Sequence, residues 1–101
     1  MKNIKLGLID GRHPLPVDAY ILKEVTDPMN MTAIHVAVYQ SLDSLLKDAS
    51  DDTLVSLYVT GLTSVTIESI QYFIEHGIEY RAMHYNRDTD TYIEQAGLSM
   101  L

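Results

Sequence analysis

The segment TLVSLYVT, residues 53–60, decides the fold. It is almost wholly apolar or β-branched, as a strand in the middle of a parallel sheet should be. Gly61 ends it, and a helical pattern follows. Thr63 or Ser64 can cap that helix, and Val65, Ile67, Ile70, Phe73 and Ile74 are its apolar positions. Glu68 falls in its early turns, where a carboxylate suits the positive end of the dipole. His76-Gly77 closes it, with glycine as the left-handed residue after the last turn. A strand running through a glycine turn into a helix is half of a βαβ unit.

The rest of the chain is read outward from there. Downstream, residues 78–85 (IEYRAMHY) alternate and predict a strand. Residues 86–90 (NRDTD) predict a turn, and residues 91–95 (TYIEQ) a returning hairpin strand. Residues 96–101 read as a short tail. Upstream, residues 4–9 (IKLGLI) predict a first strand that stops at Asp10-Gly11. Two prolines and a glycine make residues 10–16 (DGRHPLP) irregular. A helix is expected from Pro16 or Val17, because Val17, Tyr20, Ile21 and Val25 recur on one helical face. A second helix is expected behind Asp27-Pro28, read as cap and first turn, with Met31, Ile34, Val38, Leu42 and Leu45 as its stripe. Ile34, Val36 and Val38 also alternate, which is a rival strand reading; the cap and the longer stripe favour the helix. The expected order is β-α-α-β-α-β-β. This is a single α/β domain over residues 1–101, a small Rossmann-like, mostly parallel sheet with an antiparallel C-terminal hairpin.

Composition limits the function classes. The chain has 101 residues, no cysteine and a formal net charge of -7. Disulfides, thiolate zinc sites and a cysteine nucleophile are excluded. No apolar run reaches the roughly 20 residues of a membrane span, so the reading is a cytoplasmic protein without a membrane partner. Seven Lys and Arg residues are too few for an extended nucleic-acid surface. A small anion needs only two or three cations in one place. A small sheet also leaves two edges to cover, which a homo-oligomer would do.

Ligands of open parallel sheets bind beyond the carboxyl ends of the strands. There the sequence puts Asp10, Gly11, Arg12 and His13 after the first strand. It puts Thr60, Gly61 and Thr63 after the central one, and His84 and Arg87 at the end of the third. Arginine offers forked donors to phosphate, and the turn through Gly61 leads into a helix N-terminus that favours an anion. Each residue also has a plainer role: glycines make turns, Thr63 caps a helix, and the arginines can pair with Asp10, Asp88 or Asp90 on the surface. His35 and His76 read as structural, and Tyr20, Tyr39, Tyr58 and Tyr72 as core or interface residues. Tyr85 and Tyr92 are kept as candidate base stackers.

No catalytic set stands out. GxGxxG, Walker A, GxSxG and HExxH patterns are all missing. Asp10 with His13 and His84 could hold a metal through N and O ligands, but no HExxH or similarly ordered pair supports it, so no metal or cofactor is expected. His13, His84 or Asp10 could serve as a general base, with no visible nucleophile beside it.

Three segments, LIDGRHPLPVDAYI (8–21), LYVTGLT (57–63) and MHYNRDTDTY (83–92), look like those of small phage- and prophage-encoded proteins. The layout is similar to the Rossmann-like nucleotide-sensing domains of bacterial antiviral systems. Those domains bind cyclic oligonucleotides at strand ends. The resemblance implies a small binding protein for a phosphate-bearing nucleotide, with sequestration of an immune signal more natural than sensing in a chain without a fused effector. Two other readings remain open. One is an inhibitor of a host defence protein acting through an acidic surface; the other is a cyclic-nucleotide phosphodiesterase with His13 or His84 as acid or base.

Overall fold

In a computed structural model, which describes residues 2–11 and 15–96, the chain forms a five-stranded sheet with two helices. The elements are β1 (Lys2–Ile9), β2 (Ala19–Leu22), α1 (Met31–Leu45), β3 (Thr53–Tyr58), α2 (Thr63–Glu75), β4 (Glu79–Asn86) and β5 (Thr91–Ala96). Strand order is β2-β1-β3-β4-β5. The first four run parallel, and β5 returns antiparallel to β4. This is the mostly parallel α/β sheet with a C-terminal hairpin that the sequence predicts, with β3 at its centre.

One element differs. Residues 19–22, expected within a helix, are the parallel edge strand β2. Its entry is anchored to β1, where Asp18 N–H donates to Lys5 O and Lys5 N–H donates to Asp18 Oδ2, both at 2.8 Å. The ring of Tyr20 lies over Gly7, where a Cβ would meet it at 2.7 Å. Glycine therefore admits the aromatic ring, and that long-range fit outweighs the helical spacing of Val17, Tyr20, Ile21 and Val25.

Residues 34–39 are helical, as the stripe indicates. The cap of α1 is Asn30, whose Oδ1 accepts from Ala33 N–H at 3.0 Å. Asp27, expected in that role, instead accepts from Met29 N–H in the preceding turn. Nor is α2 capped by Thr63 or Ser64: its N-cap is Leu62, with no side-chain hydrogen bond. Its apolar stripe is also rotated from the expected one. Val65, Ser69, Tyr72 and Phe73 are buried, while Ile67 and Ile74 are exposed. Ser69 is tolerated in the core because its hydroxyl donates to Val65 O at 2.7 Å. His76 and Gly77 end the helix as expected, Gly77 with φ of 63°.

Both helices lie on one face of the sheet and pack against each other. Ile34, Val38 and Leu42 of α1, with Val65 and Phe73 of α2, close over Leu6, Leu8, Val55 and Leu57 in a single core. Between the helices His35 Nδ1 meets Glu68 Oε1 at 2.6 Å, so Glu68 is a partner of α1 and not of the dipole alone. Tyr39 donates to Glu75, and Tyr72 donates to Asp43 at 2.7 Å.

Among the described residues no helix covers the opposite face of the sheet. It is closed by side chains of the strands themselves. Arg81 Nε donates to Ser56 Oγ at 2.8 Å, and Ser56 Oγ donates to Asn3 Oδ1 at 2.9 Å. Arg81 Nη1 reaches Glu94 Oε1 at 2.5 Å. This row crosses β1, β3, β4 and β5 and leaves Ser56 only 1 % exposed. Beside it, Tyr58 packs edge-on against Tyr92, and Leu15 folds back so that its N–H donates to the Tyr20 hydroxyl at 3.1 Å.

Candidate functional site

Because β1, β3 and β4 are parallel neighbours, their carboxyl ends share one edge of the sheet. Asp10 and Gly11 lie there after β1, and both are exposed. Thr60, Gly61 and Thr63 lie there between β3 and α2. β4 runs past the end of β3: Tyr58 pairs with Met83, so His84 and Asn86 extend beyond it. Arg87 follows in the exposed hairpin turn. Arg12 and His13 lie outside the described residues.

The entry to α2 is the most open part of this edge. Gly61 has φ of 82°, a left-handed conformation that glycine adopts freely, and nothing lies within 4 Å of where its Cβ would be. With no side-chain cap on α2, the first-turn N–H groups face the edge without a local side-chain acceptor. Such groups, at the positive end of the helix dipole, favour an anion.

The charged and aromatic residues divide into engaged and unengaged. Arg87 has no hydrogen-bond or ion-pair partner among the described residues, and its cation acts on the neighbouring Tyr85 phenol. That phenol donates to Asp90 at 2.6 Å, and the carboxylate holds its pKa above the ordinary value. Asp90 is thereby occupied with Tyr85, and the turn's other acid, Asp88, takes Asn86 Oδ1 on its N–H. His84 Nε2 meets Gln95 Oε1 at 2.8 Å. An amide oxygen only accepts, so Nε2 donates, and in the neutral ring Nδ1 is then the acceptor. Tyr85 is half exposed, but its ring tilts against Tyr92 at 5.6 Å, so a base would add to an existing pair.

Hollows open at both edges of the sheet. A hollow of about 480 Å³ opens at the opposite, amino edge, between the C-terminal ends of α1 and α2. Its lining includes Ser50, Asp51, His76 and Glu79 above Tyr72 and Thr53. No motif announces it, because its residues come from two helix ends and two strand starts. His76 stacks on Tyr72 at 3.9 Å and donates from Nδ1 to Tyr72 O, the structural role its sequence position suggests. A smaller hollow of about 150 Å³ sits between the end of β2 and the start of α1, with Glu24 and Asp27 on its rim. Carboxylates on both rims disfavour an anion. Among the described residues no group of three or more His, Asp or Glu side chains is placed to hold a metal ion. No helix there is long and apolar enough to cross a membrane.

Compared with protein-family models, with curated proteins and with solved structures, the chain matches none.

Proposed function

We propose that the protein binds a small phosphate-bearing ligand of the nucleotide class at the carboxyl edge of its sheet. The observation that carries this reading is the turn from β3 into α2. It combines a left-handed, unobstructed glycine with a helix start that no side chain caps. Phosphate oxygens would take the free N–H groups of that first turn, with Arg87 of the β4–β5 turn as a cation on the same edge. His84 Nδ1 is available to accept from a ribose hydroxyl or a base. Asp10, Gly11, Arg12 and His13 complete the proposed edge on the reading of the sequence. With no catalytic set in view, binding without turnover is the simplest activity, and sequestration of a cyclic-nucleotide signal is its proposed use.

Calorimetry against a panel of nucleoside monophosphates, cyclic dinucleotides and cyclic ADP-ribose isomers tests this. Binding to one class is expected, weakened roughly tenfold in Arg87→Ala, as loss of one charge-assisted contact implies. No heat at micromolar concentrations across the panel contradicts it.

A second reading has its own support. Ile67 and Ile74 are 58 % and 51 % exposed on α2 of an acidic chain. Apolar surface rimmed by polar residues is common where one protein meets another. An inhibitor of a host defence protein would use that surface. An empty ligand panel leaves this reading standing.

A further inference from the structure

The two edges of the sheet are protected to different degrees. At β2 the edge is four residues long, and the outward carbonyl of Ile21 accepts from Ser41 Oγ of α1 at 2.5 Å. A short strand with a covered carbonyl resists the addition of another strand. β5 has six residues, TYIEQA, with no proline and no lysine, in unbroken register with β4.

The direction of its main-chain groups follows from the sheet. Val59 N–H donates to Met83 O at 3.0 Å, so the main-chain groups of Met83 face β3. These groups alternate along a strand, so those of Ala82, His84 and Asn86 face β5 and meet Gln95, Ile93 and Thr91. Tyr92, Glu94 and Ala96 therefore turn their N–H and C=O groups outward. None of these groups meets a partner among the described residues. The side chains are unsaturated too. Ile93 is 50 % exposed on the helix side. The Tyr92 phenol has no hydrogen-bond partner among the described residues. Glu94 uses Oε1 on Arg81 and leaves Oε2 free.

We propose that β5 pairs antiparallel with β5 of a second copy of this chain, about a two-fold axis at Ile93. Outward-facing residues must stand opposite outward-facing residues, which leaves few registers. An axis at Glu94 would set two carboxylates directly opposite each other, a like-charge pair that destabilises a sheet. An axis at Ile93 sets Tyr92 opposite the partner's Glu94, and the reverse, each pair exchanging both main-chain hydrogen bonds. On the bare face the unpaired phenol then meets the free carboxylate oxygen. On the helix side Ile93 meets the partner's Ile93 in the close, non-hydrogen-bonded position, where apolar side chains pack best. The interface is small, so the dimer is weak and reversible.

Sedimentation equilibrium over a concentration series, with amide hydrogen exchange on the same samples, tests the pairing. The wild-type chain is expected to interconvert between monomer and dimer, with slower exchange at Tyr92 and Glu94 as concentration rises. Ile93→Lys should raise the dimer Kd roughly five- to tenfold, since it sets two cations opposite each other. Ile93 is half exposed, so the variant should keep the fold of the monomer, which circular dichroism checks. A chain that stays monomeric at the highest attainable concentration overturns the proposal. So does a dimer that Ile93→Lys leaves intact, or one in which those two amides exchange no slower.

Discussion

The two faces of the sheet are closed by different forces. Under the helices, Leu6, Leu8, Val55 and Leu57 are wholly buried in an apolar core. On the bare face the strands present Asn3, Lys5, Ser56 and Arg81, with Gly7 and the rings of Tyr20, Tyr58, Tyr85 and Tyr92 beside them. The first face removes surface from water, and the second joins strands by hydrogen bonds and close ring contacts. Neighbouring residues of β3 show the contrast: Leu57 and Ser56 are both buried, one beneath helices and the other beneath the Arg81 side chain. Burial alone therefore does not tell which residues bear the stability.

The sharpest way to break this contrast is Leu57→Ala. It leaves a cavity in close-packed apolar surroundings and should cost about 2–5 kcal/mol in urea unfolding. Gly7→Ala should follow at about 1–3 kcal/mol, because its Cβ would fall 2.7 Å from the Tyr20 ring. The loss should largely vanish in the Gly7→Ala/Tyr20→Ala double variant measured against Tyr20→Ala. If it does not, the close approach is not its cause. Ser56→Ala should cost about 1–2 kcal/mol, the penalty for leaving polar partners unsatisfied. If it cost as much as Leu57→Ala, the two faces would not differ as described.

The last effect is nil at neutral pH. Burial pushes the pKa of Tyr72 up to about 12, with Asp43 accepting its proton. The neutral phenol is thus favoured by the fold. Its contribution is complete below the ordinary value near 10 and is lost as pH rises from there through about 12. Tyr39, half-buried and bonded to Glu75, shifts in the same direction. Unfolding midpoints between pH 9 and pH 12 (roughly the tyrosine range) should fall in the wild type and fall less steeply in Tyr72→Phe. Equal slopes would remove Tyr72 as a source.

Much of this architecture was legible because it is local. TLVSLYVT and IKLGLI are strands by composition, NRDTD is a turn between alternating runs, and His76-Gly77 ends a helix by glycine geometry. Residues 19–22 were not legible, since four residues cannot display a period and Val17, Tyr20, Ile21 and Val25 fit a helix by accident. Tyr20 on Gly7 and Ser41 on Ile21 O decide that strand, and both contacts join distant parts of the chain. The phase of α2 escapes the apolar pattern for a related reason: Ser69 is inside and Ile67 outside, against their polarity. A bare second face could be anticipated only by knowing that two helices, not three, cover the sheet. The carboxyl edge is legible because strands separated by helical segments run parallel and end on one side. The hollow at the amino edge is not, because nothing local unites Ser50, Thr53, Tyr72 and Glu79.

The anion is proposed at the carboxyl edge and not in the hollow at the amino edge. An amide-resolved NMR titration with a nucleoside monophosphate and, separately, a cyclic dinucleotide tests that placement directly. Shifts should concentrate at Gly61, Thr63, Ser64 and Val65, with Gly11 and Arg87 following, while Asp51, His76, Gly77 and Glu79 stay still. Shifts centred on the amino-edge hollow, or none with either ligand at millimolar concentration, would contradict it.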